Sequence, residues 1–503
     1  MSRGRWLATA ATLLAGSLAS VAFPAEWETG AGVSVGSYYT DNICLSPHDE
    51  QGKWVGTVRP DVSLRGSGAR ANVSLQGGVA YNTLGNSGLE CSGDQANTRT
   101  SRESFIPNLR FASDVEVVRD WLVLDANADA RRTSINPFVA GADDPLSGRD
   151  NNNIVYSYGA GATLQRPIAQ YAGLRMRYQY DEQFNEASIF GDSVRNRATI
   201  DLDTLPDAGR LRLGVGGEYS KVTYDDNAQV QAFDNELSSA EFRAALKVTS
   251  SWEINGKVGE EWNEFVSARD DIEGSFWDVG LRWTPNPRIE AEVGIGERFF
   301  GDTARANIAY RHKRSQLQAS YQKSLNLPRN LRVRDAGFTD PDDPFDPDFG
   351  GIPGDSLGQD GVPTLIGEAP ILNELFQLRY MFNARRTTIG VTGSESRQTQ
   401  YGRLEQAEAT FRNASVRITR SLNTILDANL LLSWRENVRE NDVPAGGFFS
   451  GDSETWRMSL GLTRQLGQRT RLSVTYAYTT QSSRDPFNEY DENRLKLSVR
   501  HSW

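Results

Sequence analysis

Apolar and polar residues alternate with a period of two along most of the chain. Leu174, Met176, Tyr178 and Tyr180 are interleaved with Arg175, Arg177, Gln179 and Asp181, and Leu211, Leu213, Val215 and Tyr219 with Arg212, Glu218 and Ser220. Ile289, Ala291, Val293 and Ile295 alternate with Glu290 and Glu292, and Leu472, Val474, Tyr476 and Tyr478 with Arg471, Ser473 and Thr475. Successive side chains of a strand point to opposite faces, so each run predicts a strand with one apolar and one charged face. From Trp27 onward an alternating segment of about ten to fourteen residues is followed by a break, roughly twenty to twenty-four times, with about twenty-two the best count.

This periodicity fits a soluble sandwich, whose apolar face is the core, as well as a barrel in lipid. The breaks separate the two. Short ones at 66–68, 118–120, 286–287, 312–314, 384–386 and 467–469 alternate with longer ones near 84–100, 135–151, 225–232, 326–370, 438–452 and 483–490. Short turns at one end and longer loops at the other describe an up-and-down membrane barrel and not a Greek key. Under that topology Trp27, Trp121, Trp252, Trp283 and Trp503 fall at periplasmic strand ends, and Trp54, Trp262, Trp277, Trp434 and Trp456 toward the outside. Two such girdles are where amphipathic indoles settle in a membrane.

The final segment, Arg494 to Trp503, carries Leu495, Leu497, Val499, His501 and Trp503 on one parity and Arg494, Lys496, Ser498, Arg500 and Ser502 on the other. A terminal strand is an open edge unless it closes on another strand. A last strand ending on a lipid-facing aromatic resembles the C-terminal signature of bacterial outer-membrane barrels. The predicted fold is all-β, a transmembrane antiparallel up-and-down β-barrel.

A chain of 503 residues with a net charge of -11 and a mean hydropathy of -0.52 suits a soluble protein and a membrane barrel alike. The N-terminus decides the compartment. Arg3 and Arg5 precede an apolar run from Trp6 to Val21, and Ser20-Val21-Ala22 has the small-x-small form of a signal-peptidase site. Residues 1–22 are predicted to be a signal peptide cleaved near Ala22, leaving 23–503 as a barrel in the bacterial outer membrane. Later in the chain nothing approaches the roughly 18 consecutive apolar residues of a spanning helix. Cys44 and Cys91, in an exported chain where oxidation is permitted, predict a disulfide joining the first two outside loops.

The longest break, 326–370, is rich in Pro, Gly and Asp. A loop of that length is usually functional or disordered, which leaves three readings: a mobile outside loop, an inward-folded constriction, or a calcium site. Calcium would draw on Asp340, Asp342, Asp343, Asp346 and Asp348, although the intervening prolines do not permit an EF-hand turn.

The search for catalytic chemistry returns little. His48, His312 and His501 are far apart in sequence and at different predicted heights, so neither a metal site nor a nucleophile relay has a general base with a partner. Gly159-Ala160-Gly161 and Gly214-Val215-Gly216-Gly217 sit inside alternating segments with no helix after them, which makes them strand glycines and not a phosphate cradle. Glu260 and Glu261 fall on opposite faces and cannot cooperate as acid and base. No catalytic residue and no cofactor is expected.

What remains is the lumen. The inward candidates are Arg175, Arg177, Arg212, Glu253, Lys257, Glu290, Glu292, Arg305, Arg311, Arg457, Arg471, Arg494, Lys496 and Arg500. Their mixed signs predict a hydrated surface without strong ion selectivity, suited to a neutral or weakly charged polymer. In known transporters a barrel of this size carries a plug domain, whereas here the first strand follows directly on the predicted leader. An open lumen, or one blocked by inward-folded loops, is therefore expected.

Gly30–Asn42 reads GAGVSVGSYYTDN and residues 57–82 read TVRPDVSLRGSGARANVSLQGGVAYN. Tyr39-Thr40-Asp41-Asn42, Arg59-Pro60 and the Gly66-Ser67-Gly68-Ala69-Arg70 turn resemble the opening of the PEP-CTERM-system-associated outer-membrane proteins, a family of β-barrel porins found beside exosortase and exopolysaccharide loci. The matching residues cover the opening strands alone. The resemblance implies a passive conduit or surface component linked to exopolysaccharide export, with outer-membrane lipid, exopolysaccharide and periplasmic export machinery as partners and no nucleic acid. A general diffusion porin for small solutes and a non-conducting structural or display barrel are the alternatives.

Overall fold

Each alternating run forms one strand. The computed structural model describes residues 25–83, 91, 105–134, 137–139, 152–168, 171–187, 191–205, 209–225, 234–265, 267, 272–327, 370–401, 406–439 and 452–503. The predicted leader at 1–22 and the candidate calcium ligands Asp340, Asp342, Asp343, Asp346 and Asp348 lie outside the described residues, as does 328–369.

The first strands are β1 (Ala25–Thr40), β2 (Lys53–Gly68), β3 (Ala71–Asn82), β4 (Phe105–Val118), β5 (Leu122–Ser134), β6 (Asn152–Ile168), β7 (Ala172–Asn185) and β8 (Ser193–Thr204). There follow β9 (Leu211–Tyr224), β10 (Asp234–Lys247), β11 (Trp252–Glu264), β12 (Gly274–Asn286), β13 (Ile289–Arg298), β14 (Gly301–His312) and β15 (Ser315–Asn326). The last are β16 (Ile371–Asn383), β17 (Thr387–Tyr401), β18 (Gln406–Ser421), β19 (Leu426–Arg439), β20 (Ser453–Gln465), β21 (Thr470–Ser483) and β22 (Tyr490–Ser502). Each strand pairs antiparallel with its neighbours in sequence, and β22 pairs with β1, so the 22-stranded sheet is closed. At the closure Gly32 lies opposite Ser502 and Thr40 opposite Arg494. The Trp503 amide donates to the Ala31 carbonyl at 2.8 Å, so the last residue is tied to the first strand.

The apolar parity faces outward. Leu211, Leu213 and Val215 are 52%, 40% and 54% exposed, which in water would be an untenable surface and in hydrocarbon is the expected one. Closure satisfies the backbone polar groups that lipid cannot. The outward indoles and phenols near the ends carrying the longer connections, here called the outer ends, find polar partners. Trp434 and Trp456 both donate to Glu454, at 2.8 and 2.9 Å, and Tyr476 donates to Asn493 at 2.7 Å. At the other rim Trp252 and Trp283 stack with ring centroids 5.7 Å apart.

Two departures from regularity have local causes. The β2–β3 ladder is interrupted between Val58 and Asp61, where Pro60 has no N–H to donate. The strict alternation of short and long connections fails at the outer end of β13 and β14, which Phe299 and Phe300 alone connect. Gly301 follows at a φ of 104°, a conformation L side chains rarely adopt, and this permits so tight an outer turn.

Candidate functional site in the barrel lumen

Register fixes which side chains look inward, because directly paired residues share a face. Starting from Arg305, whose guanidinium meets inward Asp278, the pairing carries the inward parity around the wall. Arg175, Arg177, Arg212, Glu253, Lys257, Glu290, Glu292, Arg305, Arg311, Arg457, Arg471, Arg494, Lys496 and Arg500 all fall on it. Many of them meet partners that alternation could not supply.

On the arc from β5 to β14 most inward charges are paired, and several of the pairs reach over an intervening strand. Arg177 on β7 meets Asp125 on β5 at 3.3 Å, across β6 at Gly161. Arg243 on β10 meets Asp201 and Asp203 on β8 at 2.7 and 3.1 Å, across Gly214 and Gly216 of β9. Arg305 on β14 meets Asp278 on β12 at 2.9 Å across Gly294 of β13, and also bonds Glu292. Arg212 meets Glu253 and Arg282 meets Glu290, each at 2.5 Å, and Lys257 meets Glu241 at 3.3 Å.

The glycines make this stitching possible. A Cβ on Gly214 would lie 2.0 Å from Asp203 Oδ1, and one on Gly294 2.8 Å from Arg305 Nε. The strand glycines therefore have a specific job: they clear the floor on which a guanidinium lies flat to reach a carboxylate two strands away. Against this arc lies a cavity of about 1330 Å³ that Arg175, Arg243, Asp278 and Arg305 help to line.

The arc from β16 to β22 differs in the balance of sign, although here too Arg494 meets Glu492 at 2.7 Å and Arg500 meets Asp61 of β2 at 2.6 Å. Arg379, Arg417, Arg435, Arg439, Arg457, Arg471, Arg494, Lys496 and Arg500 lie on its inward parity, against Asp427 and Glu492. Glu395, Glu436 and Glu454, which the same strands also carry, fall on the outward parity. The expectation of mixed signs thus holds for one arc and fails for the other. Reading residues in isolation concealed this, since sign is sorted by position around the barrel and not along the chain.

The outer mouth is narrowed from within. The connection after β1 turns back, so that Ile43 and Cys44 pack on inward Tyr38 and Val55, with Cys91 and Ile106 against them. Cys44 and Cys91 are disulfide-bonded with Cα atoms 5.6 Å apart. The connection after β5 reaches the far wall: Phe138, 2% exposed, packs with Ala409 and Phe411 of β18, its ring centroid 5.7 Å from that of Phe411. Asn437 of β19 donates to the Pro137 carbonyl at 2.9 Å. Sequence reasoning offered inward folding as one of three readings of 326–370, most of which lies outside the described residues, and had no signal for Pro137 and Phe138.

The histidines stay apart. His48 lies in the connection after β1, His312 stacks on Tyr310, and His501 meets Thr470 at 2.9 Å on the outward side. Among the described residues no group of His, Cys, Asp and Glu is arranged to hold a metal ion.

This architecture recurs in solved structures. The FrpB iron transporter from Neisseria meningitidis matches with a TM-score of 0.53 at 10% identity, covering 95% of this chain and 83% of its own. The siderophore receptor PirA from Acinetobacter baumannii matches with a TM-score of 0.51 at 11% identity, covering 94% and 80% respectively. The fold is that of outer-membrane β-barrels. A mutant of the ferric enterobactin receptor PfeA from Pseudomonas aeruginosa gives the same TM-score of 0.51 at 10% identity, covering 95% of this chain and 80% of its own. No family model and no curated protein matches the sequence. A shared barrel fold at this identity establishes architecture alone.

Proposed function

We propose that this outer-membrane barrel is a passive, non-catalytic conduit or surface component associated with exopolysaccharide export. The observation that carries the reading is the polar inner wall: its ion pairs lie flat across glycines instead of projecting into the channel, leaving room for a hydrated chain. The likeness of its opening strands to the PEP-CTERM-associated family supplies the link to exopolysaccharide. The similar structures are those of an iron transporter and a siderophore receptor, and at 10% and 11% identity they carry no ligand to this chain.

Planar-bilayer recording of the purified protein tests the reading. A steady conductance reduced by added polysaccharide but not by small sugars is expected. Reduction by small solutes irrespective of size would instead indicate a general diffusion porin, and absence of conductance a structural or display barrel.

A further inference from the structure

The positive arc runs the full height of the wall. Arg439 closes β19 at the outer end, and Arg435 and Arg457 sit on diagonal positions of β19 and β20 below it. Lys496 follows on β22, and near the periplasmic end Arg471 lies directly opposite Arg500. Asp61 of β2 answers Arg500 at 2.6 Å and Glu492 answers Arg494 at 2.7 Å, so the excess lies in the count: among the described residues of this face nine cations stand against Asp427 and Glu492. Interleaved on the same face are hydroxyls, among them Ser433, opposite Arg457, and Thr475, opposite Lys496. Guanidinium groups recognise carboxylates in forked pairs, and hydroxyls exchange hydrogen bonds with sugar rings.

We propose that the inward face of β16–β22 is a track for a polyanion, and that the polymer it takes is an acidic glycan bearing carboxylates. The inference rests on the conduit reading for the glycan alone. The fixed positive charge stands on the pairing register and makes the lumen wall select for anions, whereas a wall of mixed sign would not.

The test is binding, which needs no open channel. Purified full-length barrel in detergent micelles is titrated with fluorescent alginate oligomers and, separately, with neutral dextran oligomers of equal length. Alginate is expected to bind and dextran not. Affinity should fall as KCl rises from 0.1 to 1 M, where the screening length shrinks from about 10 to about 3 Å. Combining Arg435→Gln, Arg457→Gln and Lys496→Gln should weaken alginate about tenfold. Arg435→Lys with Arg457→Lys, which keeps the charge, should retain most of the affinity, and Lys221→Gln with Arg397→Gln on the outward parity should leave it unchanged. Heat-modifiable migration on gels reports that each variant is folded.

Equal binding of alginate and dextran, no binding of alginate, or a folded triple variant with undiminished affinity would overturn the track. Bound alginate without bilayer conductance sinks the conduit and leaves the track. Conductance that alginate and dextran block equally does the reverse.

Discussion

Arg500 and Asp61 form an ion pair at 2.6 Å between β22 and β2, passing over Gly32 of β1. The pair spans the junction where the two ends of the chain meet. It is partly hydrated, with side chains 42% and 23% exposed, so its contribution is modest, about 0.5 kcal/mol. Steric room beneath it matters more. A Cβ at Gly32 would lie 3.0 Å from Asp61 Oδ2 and 3.2 Å from the Arg500 guanidinium. Gly32→Val is expected to separate the pair and lower the temperature of heat-modified migration by more than Asp61→Asn does. Equal effects of the two substitutions would mean that the space over Gly32 is not used.

The contact between Phe138 and Phe411 makes a second prediction. Truncating a packed phenylalanine costs about 3–5 kcal/mol in a core. Here that loss falls on the docking of one connection and not on the strands, which are held by their own ladders. Phe138→Ala is expected to raise single-channel conductance while barely moving the thermal midpoint, and Asn437→Ala, which removes the bond to Pro137, to act in the same direction more weakly. Unchanged current in both variants would show that this connection does not limit the pore.

Alternation along each run carries the strands, their faces and the identity of the lumen-facing residues, because lipid on one side and water on the other impose a period of two. What it does not carry is who meets whom around the circumference. Arg500 and Asp61 are 439 residues apart, and Asn437 and Pro137 are 300 apart. Such partnerships are set by closure and register, which local pattern does not encode. The strand glycines were visible, but their use as floors beneath arginines follows only once Arg243 and Arg305 are seen to reach past a neighbour. The short outer turn at Phe299 and Phe300 depends on one glycine's backbone angle and has no echo in strand periodicity.

The disulfide gives a third prediction. Cys44 and Cys91 are separated by 47 residues, and closing a loop of that size in the unfolded chain is worth about 4 kcal/mol. Cys44→Ser with Cys91→Ser is expected to lower the denaturant midpoint in micelles, while the packing of Ile43 on Tyr38 and Val55 keeps the first connection inside the mouth. Proteolysis confined to the first two outer connections in the double serine variant would fit this division. Cleavage at the periplasmic turns would not.

The fourth prediction concerns the faces themselves. Leu213 and Val474 are exposed on the outward parity, at 40% and 39%, while Arg212 and Arg471 occupy the inward one. Single cysteines at the four positions, in the Cys44→Ser and Cys91→Ser background, should separate cleanly in intact membranes. A small water-soluble maleimide is expected to label the sites of Arg212 and Arg471, and a lipid-dissolved probe those of Leu213 and Val474. The reversed pattern would place the charged parity in hydrocarbon, where each arginine would cost about 2–4 kcal/mol at the midplane, and a barrel with that many misplaced charges could not stay inserted.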